Sequence, residues 1–293
     1  MDSNRTIDIS YLAYSKKNTS PYIFEQNIVS LLSFDMTQAP RLRELGFGIR
    51  YHIAVSPILL TSERISLLQN LSVEISKIDI EGEAIVPILQ AEHICQSFKK
   101  TAGRYFISLD GDTTFLRPFC HEVLSALEDD LGEIALVPEC GSTGILPFMN
   151  FNCGFMFFKR SEVTHLLLKS WAELCRYNSG ISKHGNQRIF PSAIRTAKPR
   201  IFPLDIVYNL RCHPVYGNAA QVWSPVYMVH AHRLTKSILQ SLRIKGIALD
   251  CSSPSTIRAH LLEIIQETDL HFTPKNEPYR PRYVHAPGPI IFG

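Results

Sequence analysis

The chain has 293 residues, 45% of them hydrophobic and 19% charged, with a formal net charge of +3. That is enough chain to bury one large core, and the balance is that of a folded globular protein rather than a disordered one. The positive charge is mild and scattered, with Lys16-Lys17 and Lys99-Lys100 the only lysine pairs, so no basic stripe for nucleic acid is expected. In chain order, residues 7–14 alternate apolar and polar as a strand does, and 22–34 carry Ile23, Ile28, Leu31 and Leu32 at near-helical spacing. Residues 51–55 read as a second strand, Ser62 is positioned to cap a helix containing Ile65, Leu67, Leu68 and Leu71, and 73–80 read as a third strand. A helical pattern over 85–100 leads into a strand at 105–109. Strand and helix in alternation point to a parallel sheet with helices packed on its faces.

The second half continues with a short strand at 133–138, a dense apolar strand within 150–158, and a helix capped by Ser161. Val163, Leu166, Leu167, Trp171 and Leu174 would form the apolar face of that helix. Residues 185–188 open a helix that Pro191 should interrupt, strands follow at 200–204 and 226–229, and helices at 234–245 and 255–267 close the fold. The proline-rich segment 271–293 has no helical period and is expected to be an extended tail or lid. Seven widely spaced cysteines without a Cys-x-x-Cys pair argue for free thiols in a reducing compartment. The first residues lack an apolar core of the kind a signal peptide carries, and no apolar run is long enough to span a bilayer. No transmembrane segment and a cytoplasmic location are the expectations.

The chemistry concentrates where the strand Tyr105-Phe-Ile-Ser-Leu109 stops at Asp110-Gly111-Asp112. Two carboxylates at the mouth of a buried strand repel each other unless a cation offsets the charge, and their hard oxygens suit Mg²⁺ or Mn²⁺. Asp-Gly is also an ordinary turn pair. In open sheets of this class, however, ligands gather at the carboxyl ends of strands, which favours the metal.

Four ordered signals together resemble the Asp-x-Asp-containing glycosyltransferases of the GT-A fold. They are Asp110-Gly-Asp112, Asn152-Cys-Gly154 before an apolar strand, Asn186-Gln187, and Val229-His230-Ala-His232. The pattern is most similar to retaining nucleotide-diphospho-sugar transferases such as those of families eight and seventy-seven, over roughly residues 7–236. The resemblance implies an α/β, Rossmann-like domain with a mostly parallel central sheet flanked by helices. One domain over 1–270 would fuse a nucleotide-sugar-binding half (about 1–115) to an acceptor half (about 116–270). The implied reaction moves a sugar from a nucleotide-diphospho-sugar, UDP-sugar foremost, to an acceptor hydroxyl with retention. The acceptor would be a saccharide, a lipid-linked group or a protein.

The likeness also implies roles for individual residues. Asp110, Asp112 and His230 would bind the metal, with His232 as the alternative histidine. An imidazole among oxygen ligands shifts preference toward Mn²⁺, with Mg²⁺ possible. Tyr11, Ala13 and Tyr14 would lie by the base and ribose, and His93, Gly111 and Lys236 by the donor or its phosphates. Asn152 would bond sugar hydroxyls, Gly154 would let the backbone approach the sugar, and Asn186 and Gln187 would stand by the reacting carbon. Asn186 departs from the family, which has an acid there, so no carboxylate nucleophile is available at that place and front-face attack is implied. Asn209, residues 214–223 with Trp223, and Tyr279 and Tyr283 of the tail fall on the acceptor side. Two rivals stand beside this reading. Asp110-Gly-Asp112-Thr-Thr114 also fits the opening of haloacid-dehalogenase-like phosphatases, in which the first Asp attacks phosphorus and the second is the acid. That motif normally begins a fold, whereas here it follows several strand-like segments. The other rival is a non-catalytic sugar-nucleotide-binding protein.

Overall fold

The apolar alternation of the first segment becomes β1 (Thr6–Ala13), followed in the chain by β2 (Gly48–Val55), β3 (Val73–Lys77), β4 (Tyr105–Leu109) and the short β5 (Thr113–Phe115). Next come β6 (Ile134–Pro138), β7 (Phe151–Lys159), β8 (Ile201–Pro203), β9 (Leu210–Arg211) and β10 (Met228–His230). These elements come from a computed structural model that describes residues 5–15, 21–78, 86–138, 151–182, 185–211 and 225–271. Seven strands form the central sheet in the order β3-β2-β1-β4-β7-β6-β8. All pairings are parallel except the two that β7 makes, with β4 and with β6. A smaller sheet, β5-β10-β9, lies beyond the end of β4.

Helices α1 (Pro21–Thr37), α2 (Ala39–Glu44), α3 (Ser62–Asn70), α4 (Val86–Lys100) and α5 (Cys120–Glu128) belong to the first half. The second half adds α6 (Glu162–Tyr177), α7 (Ser179–Ser182), α8 (Phe190–Ala197), α9 (His232–Ile244) and α10 (Pro254–His271). Alternate residues of the strands feed two cores. Ile7, Ile9, Tyr11, Tyr105, Ile107, Leu109, Phe155 and Phe157 join the larger one. Phe106, Met156, Phe158, Ile134 and Leu136 turn to the other face, against Phe98, Leu167, Trp171 and Phe190 of α4, α6 and α8. Burial on both faces explains why β4 and β7 read as nearly unbroken apolar runs. The sheet is the mostly parallel α/β arrangement expected for the GT-A fold.

Several local expectations need correction. Thr61, not Ser62, caps α3, its side chain accepting from the Arg64 amide at 3.3 Å. Ser161 does cap α6, with Thr164 completing a reciprocal capping box. The buried stripe of α6 is Thr164, Leu167, Leu168, Trp171 and Cys175, and Leu166 is exposed. The stripe is set by contact with α4 and α8, which lies about one residue around from the expected face. Pro191 begins α8 rather than interrupting a helix, because a first-turn residue has no intrahelical N–H bond to lose. Residues 186–188 form a separate 3-10 turn. Among the described residues no helix is long and apolar enough to cross a membrane, and five cysteines are free thiols.

The polar side of β1 buries a charge. Asp8 is fully buried, accepting from Arg50 Nε at 2.7 Å, His52 Nε2 at 3.0 Å and the Gly103 amide at 2.7 Å. Burial alone would raise its pKa, but the bonds from His52, Arg50 and Gly103 together outweigh that and bring it down to about 2. A carboxylate whose folded pKa is depressed stabilises above its unfolded pKa, and that contribution is lost as pH falls from about 4 toward 2. Asp8→Ala is therefore expected to cost roughly 3 kcal/mol at neutral pH, the scale for breaking a buried pair. In urea titrations the variant should also lose less stability than wild type between pH 4 and pH 2. Equal acid slopes would contradict the assignment.

Candidate metal centre

The junction of the two sheets builds the site. At the end of β4, Leu109 pairs with Phe155 of β7, and the Asp110 amide donates to the Gly154 carbonyl at 3.0 Å. The chain then turns, with the Thr113 hydroxyl donating to the Asp110 carbonyl at 2.8 Å, and leaves as β5. β5 runs antiparallel to β10 with Thr113 opposite His230. The Ala231 amide extends the ladder to the Asp112 carbonyl at 3.0 Å. Two three-residue strands thus bring residues over a hundred positions apart against each other.

Asp110, Asp112 and His230 each offer one ligand atom, all within 4.8 Å of one another. His230 Nε2 lies 3.4 Å from Asp110 Oδ2 and 3.1 Å from Asp112 Oδ1. Adjacent ligands of an octahedral divalent ion bound at about 2.1 Å stand about 3 Å apart, so this set suits such an ion. Two hard oxygens and one imidazole nitrogen also suit its chemistry. Asp112 is buried, which by itself would raise its pKa, but His230 and then His232 outweigh the burial and hold its carboxyl below the ordinary range. The group is poised as an anion.

Backbone space around the site is tight. A Cβ on Gly154 would come within 2.3 Å of His230 Cε1 and 2.5 Å of Nδ1. The side of this glycine where a Cβ would stand is filled by the histidine ring. Asn152, also on β7, is buried, and its Oδ1 accepts from the Gly154 amide at 2.9 Å and lies 3.2 Å from His230 Nδ1. On the opposite side, Gln90 of α4 donates from Nε2 to Asp110 Oδ1, and Asn186 Nδ2 donates to Gln90 Oε1 at 2.9 Å.

No protein-family model matches the chain, and no curated protein matches it in sequence. Among solved structures it is similar to mouse xyloside xylosyltransferase 1 in its apo form, with 13% sequence identity and a TM-score of 0.51. The match covers 77% of this chain and 97% of the mouse one. The two share a fold. At that identity the likeness extends to the architecture alone, and the site must be judged on its own residues.

The other expected residues fall into three groups. His232, at the start of α9, is largely exposed, with Nδ1 3.3 Å from Asp112 Oδ2 and 3.1 Å from Gln26 Nε2. Its carbonyl accepts from the Tyr22 hydroxyl at 2.7 Å, and Lys236, one turn on, sits over the Tyr22 ring at 5.0 Å. These residues rim the centre. Asn186 reaches it only through Gln90, and Gln187 beside it is half-buried. A second group is packed away. Tyr11 and Ala13 are fully buried in the larger core, and Tyr14 packs with Ala54 and Ile78. His93 meets the Ser10 hydroxyl at 3.0 Å, and burial lowers its pKa to about 4, leaving it neutral. A Cβ on Gly111 would meet the Asn27 side chain at 2.5 Å, so this glycine makes room for an amide of α1. Asn209 is buried next to β9. The third group, Trp223, Tyr279, Tyr283 and the tail 272–293, lies outside the described residues. The sequence carries no signal that marks Gln90, Gln26 or Tyr22 as part of this site. Each is a polar residue within a helix, a feature too common to single them out.

Proposed function

We propose that the protein is a metal-dependent glycosyltransferase that moves a sugar from a nucleotide-diphospho-sugar, UDP-sugar foremost, to an acceptor hydroxyl. The observation that supports this most is the convergence of Asp110, Asp112 and His230 at the carboxyl end of β4. The shared fold with a xylosyltransferase agrees with it. In this reading the two carboxylates and His230 Nε2 hold a divalent cation, Mn²⁺ ahead of Mg²⁺ because one ligand is nitrogen. Bound there, the cation supplies Lewis-acid stabilisation of the charge that develops on the departing diphosphate. Asp112 and His230, largely closed to solvent, keep their atoms at fixed separations before any ligand arrives. Lys236, held over the Tyr22 ring at the rim on the α9 side, offers a cation to phosphate oxygens. With Asn186 neutral and tied to Gln90, no carboxylate stands ready there as a nucleophile, so retention would proceed by front-face attack of the acceptor hydroxyl. The acceptor is a saccharide, a lipid-linked group or a protein.

A panel of UDP- and GDP-sugars assayed for Mn²⁺-dependent hydrolysis tests this reading. One UDP-sugar should be turned over, and UDP with Mn²⁺ should raise the melting temperature by several degrees through linkage, more than either does alone. Hydrolysis of p-nitrophenyl phosphate with Mg²⁺, and no response to any sugar nucleotide, would instead identify a phosphatase. Anomer analysis of the product by NMR decides retention.

A further inference from the structure

The ligand atoms of this centre are backed by side-chain amides whose orientation is settled by backbone groups. The Gly154 N–H is always a donor, so the atom of Asn152 that faces it at 2.9 Å is the carbonyl oxygen. That same oxygen lies 3.2 Å from His230 Nδ1, which must therefore carry a proton to donate. Nε2 is then the nitrogen turned toward the aspartates, 3.1 Å from Asp112 and 3.4 Å from Asp110. A second chain runs the same way from the other side. The Pro87 carbonyl is always an acceptor, so Asn186 presents its NH₂ to it at 3.1 Å. The same NH₂ donates to Gln90 Oε1 at 2.9 Å, which leaves Gln90 Nε2 as the donor to Asp110 Oδ1. Oδ2 of Asp110 is left facing His230. Asn152 is 2% exposed and Asn186 4%, so water competes little for either chain.

We propose that Asn152, and Gln90 held by Asn186, are positioning residues that select the ligating atoms, His230 Nε2 and Asp110 Oδ2. This rests on the metal reading above and goes further: the residues that the motif likeness puts against the sugar are assigned to the rear of the metal ligands. A group behind a histidine ligand fixes its tautomer and ring orientation, and losing one typically lowers metal affinity 10–100-fold. The rear of the site is also uncharged.

The test uses the full chain and Mn²⁺ alone, with affinity measured by electron paramagnetic resonance, and His230 observed by ¹⁵N NMR in histidine-labelled protein. Wild type should show a slowly exchanging Nδ1–H on His230, identified by its absence in His230→Gln. Asn152→Leu, of the same branched shape but without an acceptor, should lose that signal and bind Mn²⁺ 10–100-fold more weakly. Asn152→Asp keeps the acceptor and should retain both. Gln90→Met should weaken Mn²⁺ over the same range while leaving the His230 signal in place. Should Asn152→Leu not fold, Asn152→Ser, too short to reach the ring, takes its place. An unprotonated Nδ1 in wild type would overturn the proposal, as would Leu and Met variants that bind Mn²⁺ like wild type. If wild type binds no Mn²⁺, the metal reading fails on its own, and the Nδ1–H signal still decides whether Asn152 orients His230.

Discussion

Asp112→Ala should lower metal-dependent sugar transfer about a thousandfold in kcat/KM, equivalent to ~4 kcal/mol of transition-state stabilisation. Asp112 is the more deeply buried of the two acids and faces both histidines, His230 at 3.1 Å and His232 at 3.3 Å. Its removal takes away one of the three proposed ligand atoms and leaves the buried His230 ring with Asp110 as its carboxylate neighbour among the described residues. The loss should appear as weakened Mn²⁺ dependence as well as a lower rate, because the remaining pair makes a poorer site. Raising Mn²⁺ should recover part of the activity. Sugar transfer unchanged in this variant would remove the proposed function, whatever the fold.

What was legible in the sequence follows from which features carry a local signal. β4 and the aspartates after it were visible because an apolar run ended in charge, and His230 because a short apolar strand ended in a histidine. The pairing that joins them was not. β5 has three residues and β10 three, too few for a period, and their register depends on contacts made across the fold. Asn152 and Gly154 were noticed as a motif, yet their work could not be read from it. Whether a glycine gives room to a ligand or to another side chain depends on what lies opposite, here a ring 78 residues on from Asn152. Gln90 was invisible for a related reason. One amide on an amphipathic helix is ordinary until its neighbour across the fold is known. Tyr11 illustrates the converse. An aromatic at a strand end near a site looks like a base-stacking residue, but β1 is an interior strand and that face belongs to the core.

Gly154→Ala is expected to cost both stability and metal binding. The added carbon would stand 2.3 Å from His230 Cε1 and 2.5 Å from Nδ1, both atoms of a rigid ring, with Asn152 Oδ1 a further 3.2 Å neighbour. Either the ring leaves or β7 shifts, and β7 is hydrogen-bonded on both sides, to β4 and β6. Overpacking of this kind costs about 1–3 kcal/mol of stability, and displacing the ring should also remove Mn²⁺ binding. Gly111→Ala provides the contrast. Its Cβ would meet the end of the Asn27 side chain at 2.5–2.8 Å, a flexible group of α1 that ligates nothing in this site, so a smaller loss of stability should leave Mn²⁺ affinity within about threefold of wild type. Calorimetric unfolding and Mn²⁺ titration of the two variants separate the effects. If Gly154→Ala binds the ion as well as Gly111→Ala does while its His230 ¹⁵N signals show the ring displaced, His230 is not a ligand.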